Sequence, residues 1–196
     1  MNDSTSFKNQ LFVVLIPGGK ILQLTNRIQK IISEHYEIYK EGSYPQIHIT
    51  LNKTKKSKEN KLIKSTDKLI KKWDKPVNIQ VNNFECFNVD YNKFLVLKVE
   101  QSESLKKFAV ALHKSLKEAG ITVIDNYDSW NFHITIISNI FAENPISKIE
   151  FEKLCFKFNN ITENDLTSAS SKAKYLEIWR PTLDKDKKCI KSYLLN

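Results

Sequence analysis

Two short stretches, QIHITL at 46–51 and NFHITI at 131–136, carry the same His-Ile-Thr word 85 residues apart. Each word alternates. In the first, Ile47, Ile49 and Leu51 interleave with Gln46, His48, Thr50 and Asn52; in the second, Phe132, Ile134 and Ile136 flank His133 and Thr135. A period of two fits a β-strand with one face in a core and the other left open, not a helix. Any fold for this chain must therefore supply two such strands from distant parts of the sequence. Residues i and i+2 of a strand share a face, so His48 points with Thr50, and His133 with Thr135.

The sequence around the words reads as a repeated unit. Leu11–Ile16 is a β-rich apolar run closed by Pro17-Gly18-Gly19. Ile21, Leu24, Ile28, Ile31 and Ile32 then recur at helical spacing, and EGSYP at 41–45 breaks the chain before the first word. Beyond that word, Leu62, Ile63, Thr66, Leu69, Ile70 and Trp73 form the apolar stripe of a lysine-rich helix ended by Pro76. Alternation at 77–81 and 94–99 around NVDYN (88–92) predicts an antiparallel hairpin. Ser102 caps a helix whose buried stripe is Leu105, Phe108, Leu112, Leu116 and Ala119, with Gly120 as its left-handed stop. The second word follows. After it come a weaker helix marked by Ile146, Ile149 and Leu154, a loop at 167–173 (TSASSKA), and closing strands YLEIW and CIKSYLL. Each word is preceded and followed by a helix, a weak repeat that points to two related lobes in a single domain over 1–196.

Composition adds constraints on setting and partner. The 196 residues are 41% hydrophobic and 27% charged, which suits a folded domain. No run of about 18 apolar residues is present, and the first residues lack the basic-then-apolar order of a secretory leader. Cys86, Cys155 and Cys189 are odd in number, scattered and without a CxxC pair, and read as reduced structural cysteines in a cytoplasmic protein. A net charge of +9 favours anionic partners such as RNA or nucleotides, although the run from Lys53 to Lys75 fits the solvated face of a helix more readily than a nucleic-acid track.

Placed side by side, the two words would bring two imidazoles and two hydroxyls to one concavity. That set suits phosphodiester chemistry without a metal. A neutral His takes a proton from water or a sugar hydroxyl, a protonated His gives one to the leaving oxygen, and a side-chain pKa near 6.5 allows one of each at neutral pH. The Thr hydroxyls donate to phosphate oxygens. A lone His-x-Thr is a weak signal and one strand His is more often packed than catalytic; two copies in matched register are harder to assign to packing. His35 and His113 fall on helices and no Cys lies near either word, so a zinc set is not visible. Walker, GxSxG and His-x-His-x-His motifs are absent. Tyr44 and Trp130 precede the two strands, where a ring could stack on a base or pack at the rim.

With paired His-x-Thr words separated by helix, hairpin and helix, the chain resembles the two-histidine phosphoesterases, which include RNA 2′,5′-ligase-like enzymes and cyclic nucleotide phosphodiesterases. The resemblance runs from Leu11 to about Leu194 and takes in the opening strand, FLVLKVE before a Leu-rich helix, and YLEIW. It implies an α+β fold of two pseudo-symmetric lobes, antiparallel sheets flanked by helices, with a central cleft. It also implies cofactor-free action on RNA ends or small nucleotides by a cytoplasmic monomer, with His48, Thr50, His133 and Thr135 catalytic. Family members often carry Pro directly before the His, where this chain has Ile47 and Phe132. The favoured reaction is hydrolysis of a 2′,3′-cyclic phosphate, with His133 as base and His48 as acid by the resemblance. Action on 2′,5′-linked or cyclic oligonucleotides, RNA 2′,5′-ligation, and a non-catalytic basic RNA-binding module are the alternatives.

Overall fold

A computed structural model describes residues 9–40, 44–89, 92–159, 169–182 and 184–195. Of the expected breaks, 41–43, the hairpin tip at 90–91 and 167–168 lie outside them. The elements follow the order read from the sequence: β1 (Gln10–Pro17), α1 (Gly19–His35), β2 (Ile49–Lys55), α2 (Glu59–Ile70), β3 (Asn78–Val89), β4 (Asn92–Glu100), α3 (Glu103–Glu118), β5 (His133–Ser138), α4 (Lys148–Asn159), β6 (Ala169–Trp179), a single turn α5 (Lys185–Lys188) and β7 (Cys189–Leu194).

All strand pairings are antiparallel, in the order β1-β2-β5-β4-β3-β6-β7. The sheet also closes on itself. The first residues of β6 pair with β3 and its remainder with β1, so β6 runs through both halves. Residues 169–173, expected in a loop, are therefore strand. Their Ser-rich sequence has low β-propensity, and pairing of Ala169–Lys172 with β3 overrides it.

One face of the sheet carries the helices and the main core, including Leu11, Val13 and Leu15 of β1, Ile47, Ile49 and Leu51, Ile134 and Ile136, and Phe108 of α3. The other face of β1 is also covered. Val14 and Ile16 join Trp179 in a second, smaller cluster with Phe12 and Tyr175 against it. Burial on both faces explains why β1 reads as continuous rather than alternating. The helix readings hold at their ends: Ser102 Oγ accepts the Leu105 N–H, and α3 stops at Gly120, which takes φ +64°. Ile31 and Ile149 depart from the expected stripes and are exposed at 56% and 67%. No helix among the described residues is long and apolar enough to cross a membrane.

The cysteines do not follow the sequence reading. Cys86 and Cys155 form a disulfide across 69 residues, tying β3 to α4, while Cys189 is free and exposed. β3 turns Cys86 to the helix-covered face, where α4 packs; spacing along the chain gave no sign of that proximity. Disulfides are rare in reducing compartments, so the cysteine argument for a cytoplasmic setting falls away. Replacing Cys155 with Ser should lower unfolding free energy by about 2–4 kcal/mol in denaturant titrations without reductant. Identical curves with and without dithiothreitol would show that the pair is reduced in solution.

Candidate active site

β2 and β5 meet at one residue pair, Ile49 opposite Ile134. Both isoleucines are fully buried on the core face. One step outward on each side sets His48 across from Thr135 and Thr50 across from His133. In sheet geometry directly opposed side chains start about 5 Å apart and diagonal ones about 7–8 Å apart. The two imidazoles are the diagonal pair. All four side chains are half-buried, and the charge of His133 is felt at His48.

Each imidazole is held by the carbonyl two residues before it. His48 Nδ1 donates to Gln46 O at 2.8 Å, and the His133 ring bonds the Asn131 carbonyl. A carbonyl only accepts, so in His48 Nδ1 carries the proton and Nε2 is left for the cleft. The same local contact thus orients both rings.

The surroundings are not symmetric. The His48 ring lies 4.7 Å from the buried Trp179 ring, and Lys188 Nζ sits 4.0 Å above that indole. Burial chiefly, then the positive charges of Lys188 and His133, drive the His48 pKa down to about 4 despite the Gln46 carbonyl. His133 lies opposite Lys98 of β4 and 5.7 Å from the Phe87 ring, which stacks on Phe94. Its pKa is also lowered, mainly by burial and further by Lys53, while the Asn131 carbonyl and Glu85 work the other way. Glu85 in turn pairs with Lys98 at 4.0 Å.

Of the residues expected beside the words, Trp130 packs partly against the main core and meets the first word through its backbone. Its Nε1 donates to Thr50 O at 3.1 Å, and Lys53 Nζ lies 5.1 Å from its ring. Tyr44 packs partly against the main core as well, edge-on to Tyr39 at 6.3 Å. His113 stacks on Tyr127 at 4.0 Å and bonds Asn52, and His35 is exposed, both as structural or surface groups.

Asn52 departs from the expected alternation. The β1–β2 register slips between Val13 and Val14, so Thr50 faces Val14 and Asn52 faces Val13 on the core side. Asn52 is fully buried there, and Lys53 takes the cleft face opposite Phe12. Sequence reasoning missed Lys53 for this reason, and missed Trp179, Lys188, Glu85 and Phe87 because only strand register brings them to the words. Among the described residues no group of three or more His, Cys, Asp or Glu could hold a metal ion.

The chain matches the AKAP7 2'5' RNA ligase-like domain over residues 60–178, more than half its length; the match includes His133 and Thr135 and begins after His48 and Thr50. No curated protein sequence matches it. Solved structures that share the fold include TT0787 of Thermus thermophilus (TM-score 0.61, 13% identity, 95% of this chain and 97% of that one). Escherichia coli LigT complexed with 3'-AMP (0.56, 12%, 96% and 98%) and Kluyveromyces marxianus Usb1 with uridine monophosphate (0.51, 13%, 97% and 99%) share it too.

The depressed His48 pKa has a sign that thermal melts can check. A neutral His48 in the fold and an ordinary one near 6.5 in the unfolded chain mean that the unfolded state binds more protons between those values. Stability from this group is complete above pH 6.5 and is lost as pH falls toward about 4. The loss approaches about 3 kcal/mol if the whole shift is expressed. His48→Gln should therefore lose less stability than wild type over that window, and parallel pH curves for the two proteins would contradict the burial of His48.

Proposed function

The chain belongs to the AKAP7 2'5' RNA ligase-like domain family of two-histidine phosphoesterases, and from that premise we propose that it is a phosphodiesterase that hydrolyses 2′,3′-cyclic phosphates at RNA ends or on nucleotides. The observation that carries the reading is the β2–β5 register, which sets each His across from the Thr of the other word. A cyclic phosphate placed between the words would have a ring nitrogen on either side and two hydroxyl donors at its non-bridging oxygens.

Hydrolysis then proceeds by in-line attack of water. His133 takes the water proton as the oxygen–phosphorus bond forms. The bond to one ribose oxygen breaks, and His48 delivers a proton to that oxygen. Thr50 and Thr135 donate to the oxygens on which charge builds. In the free cleft both rings have lowered pKa values, so His48 gains its proton as the substrate's negative charge enters and favours the imidazolium. Exchange of the two roles is the second reading. It is favoured by Glu85 beside His133 and Lys188 beside His48, which leave His133 the easier ring to protonate.

The name of the matched family favours 2′,5′-linked oligonucleotides as the alternative substrate. Trp130 keeps its place in the proposal as a ring at the Thr50 edge of the cleft. Tyr44, four residues before His48 and edge-on to Tyr39, is the second candidate ring. A basic RNA-binding module is the rival of another kind, and binding of cyclic-phosphate or 2′,5′-linked RNA without product would establish it.

His48→Ala and His133→Ala should each lose about 10²–10⁴-fold in kcat on 2′,3′-cyclic AMP while remaining folded, and activity should survive EDTA. A substrate with a good leaving group needs little help from the acid, so it should rescue His48→Ala far more than His133→Ala. Preferential rescue of His133→Ala would establish the exchanged roles, and near-normal turnover in either mutant would remove the catalytic reading.

A further inference from the structure

Lys53 occupies a position that the strand pattern alone would have given to the core. The register slip opposite Leu51 reverses the phase of β2, and a dense set of contacts fixes it. Tyr127 donates its hydroxyl to Leu51 O at 3.2 Å. Asn52 Oδ1 accepts both the Lys53 N–H and the Thr122 hydroxyl at 2.9 Å, while its amide nitrogen donates to His113 Nδ1 at 3.1 Å. The Val123 N–H bonds the Lys53 carbonyl at 3.1 Å. A bulge held on so many sides aims one side chain, a recurrent use of bulges beside functional sites.

The Lys53 side chain lies on the cleft face of β2, opposite Phe12. Its ammonium lies 5.1 Å from the Trp130 ring and 5.8 Å from Phe12. Trp130 is itself bonded to the carbonyl of Thr50, the residue across from His133. The ammonium therefore lies on the His133 side of the cleft, close enough for its charge to hold down protonation of that ring, and burial lowers its own pKa. A compact charge held in partial dryness, near enough to act on His133, is placed for an anion entering the cleft, because charge-assisted hydrogen bonds strengthen as water is excluded.

We propose that Lys53 is a phosphate-holding residue of the cleft, its ammonium taking a non-bridging phosphoryl oxygen on the His133 side. This rests on the phosphodiesterase reading for its catalytic consequence but not for its binding consequence. The two Thr hydroxyls orient the phosphate without adding charge, and Lys53 supplies a positive charge as the oxygens gain negative charge in the transition state. Anion binding would also offset the effect of Lys53 on His133, so phosphate binding and protonation of that ring are coupled.

Binding of inorganic phosphate, followed through the histidine ring signals in NMR, separates this proposal from turnover. Lys53→Met keeps the length of the stem and removes the charge, and a melting curve reports whether it folds. The phosphate dissociation constant should rise roughly 10- to 100-fold in the variant, the His133 pKa should rise, and Lys53→Arg should restore much of the affinity. On 2′,3′-cyclic AMP and on a dinucleotide ending in the same cyclic phosphate, Lys53→Met should cut kcat/KM by a similar factor. An effect on both substrates places Lys53 at the reacting phosphate, and one confined to the dinucleotide places it at the neighbouring phosphate. A folded Lys53→Met that binds phosphate as wild type does overturns the proposal. If wild type binds phosphate through Lys53 but opens no cyclic phosphate, the phosphodiesterase reading fails and the anion site stands.

Discussion

The two halves of the sheet touch between β2 and β5 through one pair of buried isoleucines, Ile49 and Ile134. Everything at the cleft depends on that contact. Slipping a strand by one residue sends each of its side chains to the opposite face. A slip of β2 against β5 would therefore bury His48 and Thr50 while exposing Ile47, Ile49 and Leu51. The apolar side of each word holds the register that its polar side needs. Because the pairing is antiparallel, one register sets both His–Thr pairs at once. The closure through β6 then fixes the outer strands around the junction, since a strand shared with β3 and β1 allows neither half to move independently.

Identical words placed symmetrically would give identical histidines, and the proposed acid–base reaction requires them to differ. The difference comes from the flanking strands. The His48 side is walled by Trp179 of β6, with Lys188 above the indole. On the His133 side stand Lys98 and Phe87, with Glu85 and Lys53 acting on its charge. Cations act alone on His48, while a carboxylate and a cation oppose each other at His133. The pair becomes inequivalent through its neighbours, which lie far away in sequence.

That contrast explains what could be read before the structure. Period-two alternation, the Ser102 cap and the Gly120 stop are local, and local signals identified both words, the element order and the buried face of α3. The bulge at Leu51 is a property of two strands. Nothing in LNKT marks a change of phase, so Asn52 was expected on the cleft face, whereas β1 turns it to the core and gives the cleft face to Lys53. The Cys86–Cys155 bond depends on α4 docking behind β3. Residues 169–172 become strand because β3 offers them an edge. In each case tertiary pairing, invisible in one strand's sequence, outweighed a local preference.

Charge gives the cleft its direction of response. Without a ligand, burial and nearby cations lower the proton affinity of both imidazoles, and Lys53 and Lys188 leave the pocket biased toward anions. In the proposed reaction, an entering phosphate would cancel part of that positive field at the point where a proton is needed. By linkage, a ligand that raises a ring's proton affinity binds more tightly when that ring is protonated. Substrate charge and the acid's proton would therefore arrive together in the proposed reaction. A cleft built with two freely titrating histidines would have the acid's proton without substrate, at the cost of repulsion between two imidazoliums. Here desolvation disfavours charge on both rings, and in the proposed reaction a phosphate would supply the negative charge that makes an imidazolium stable between the words.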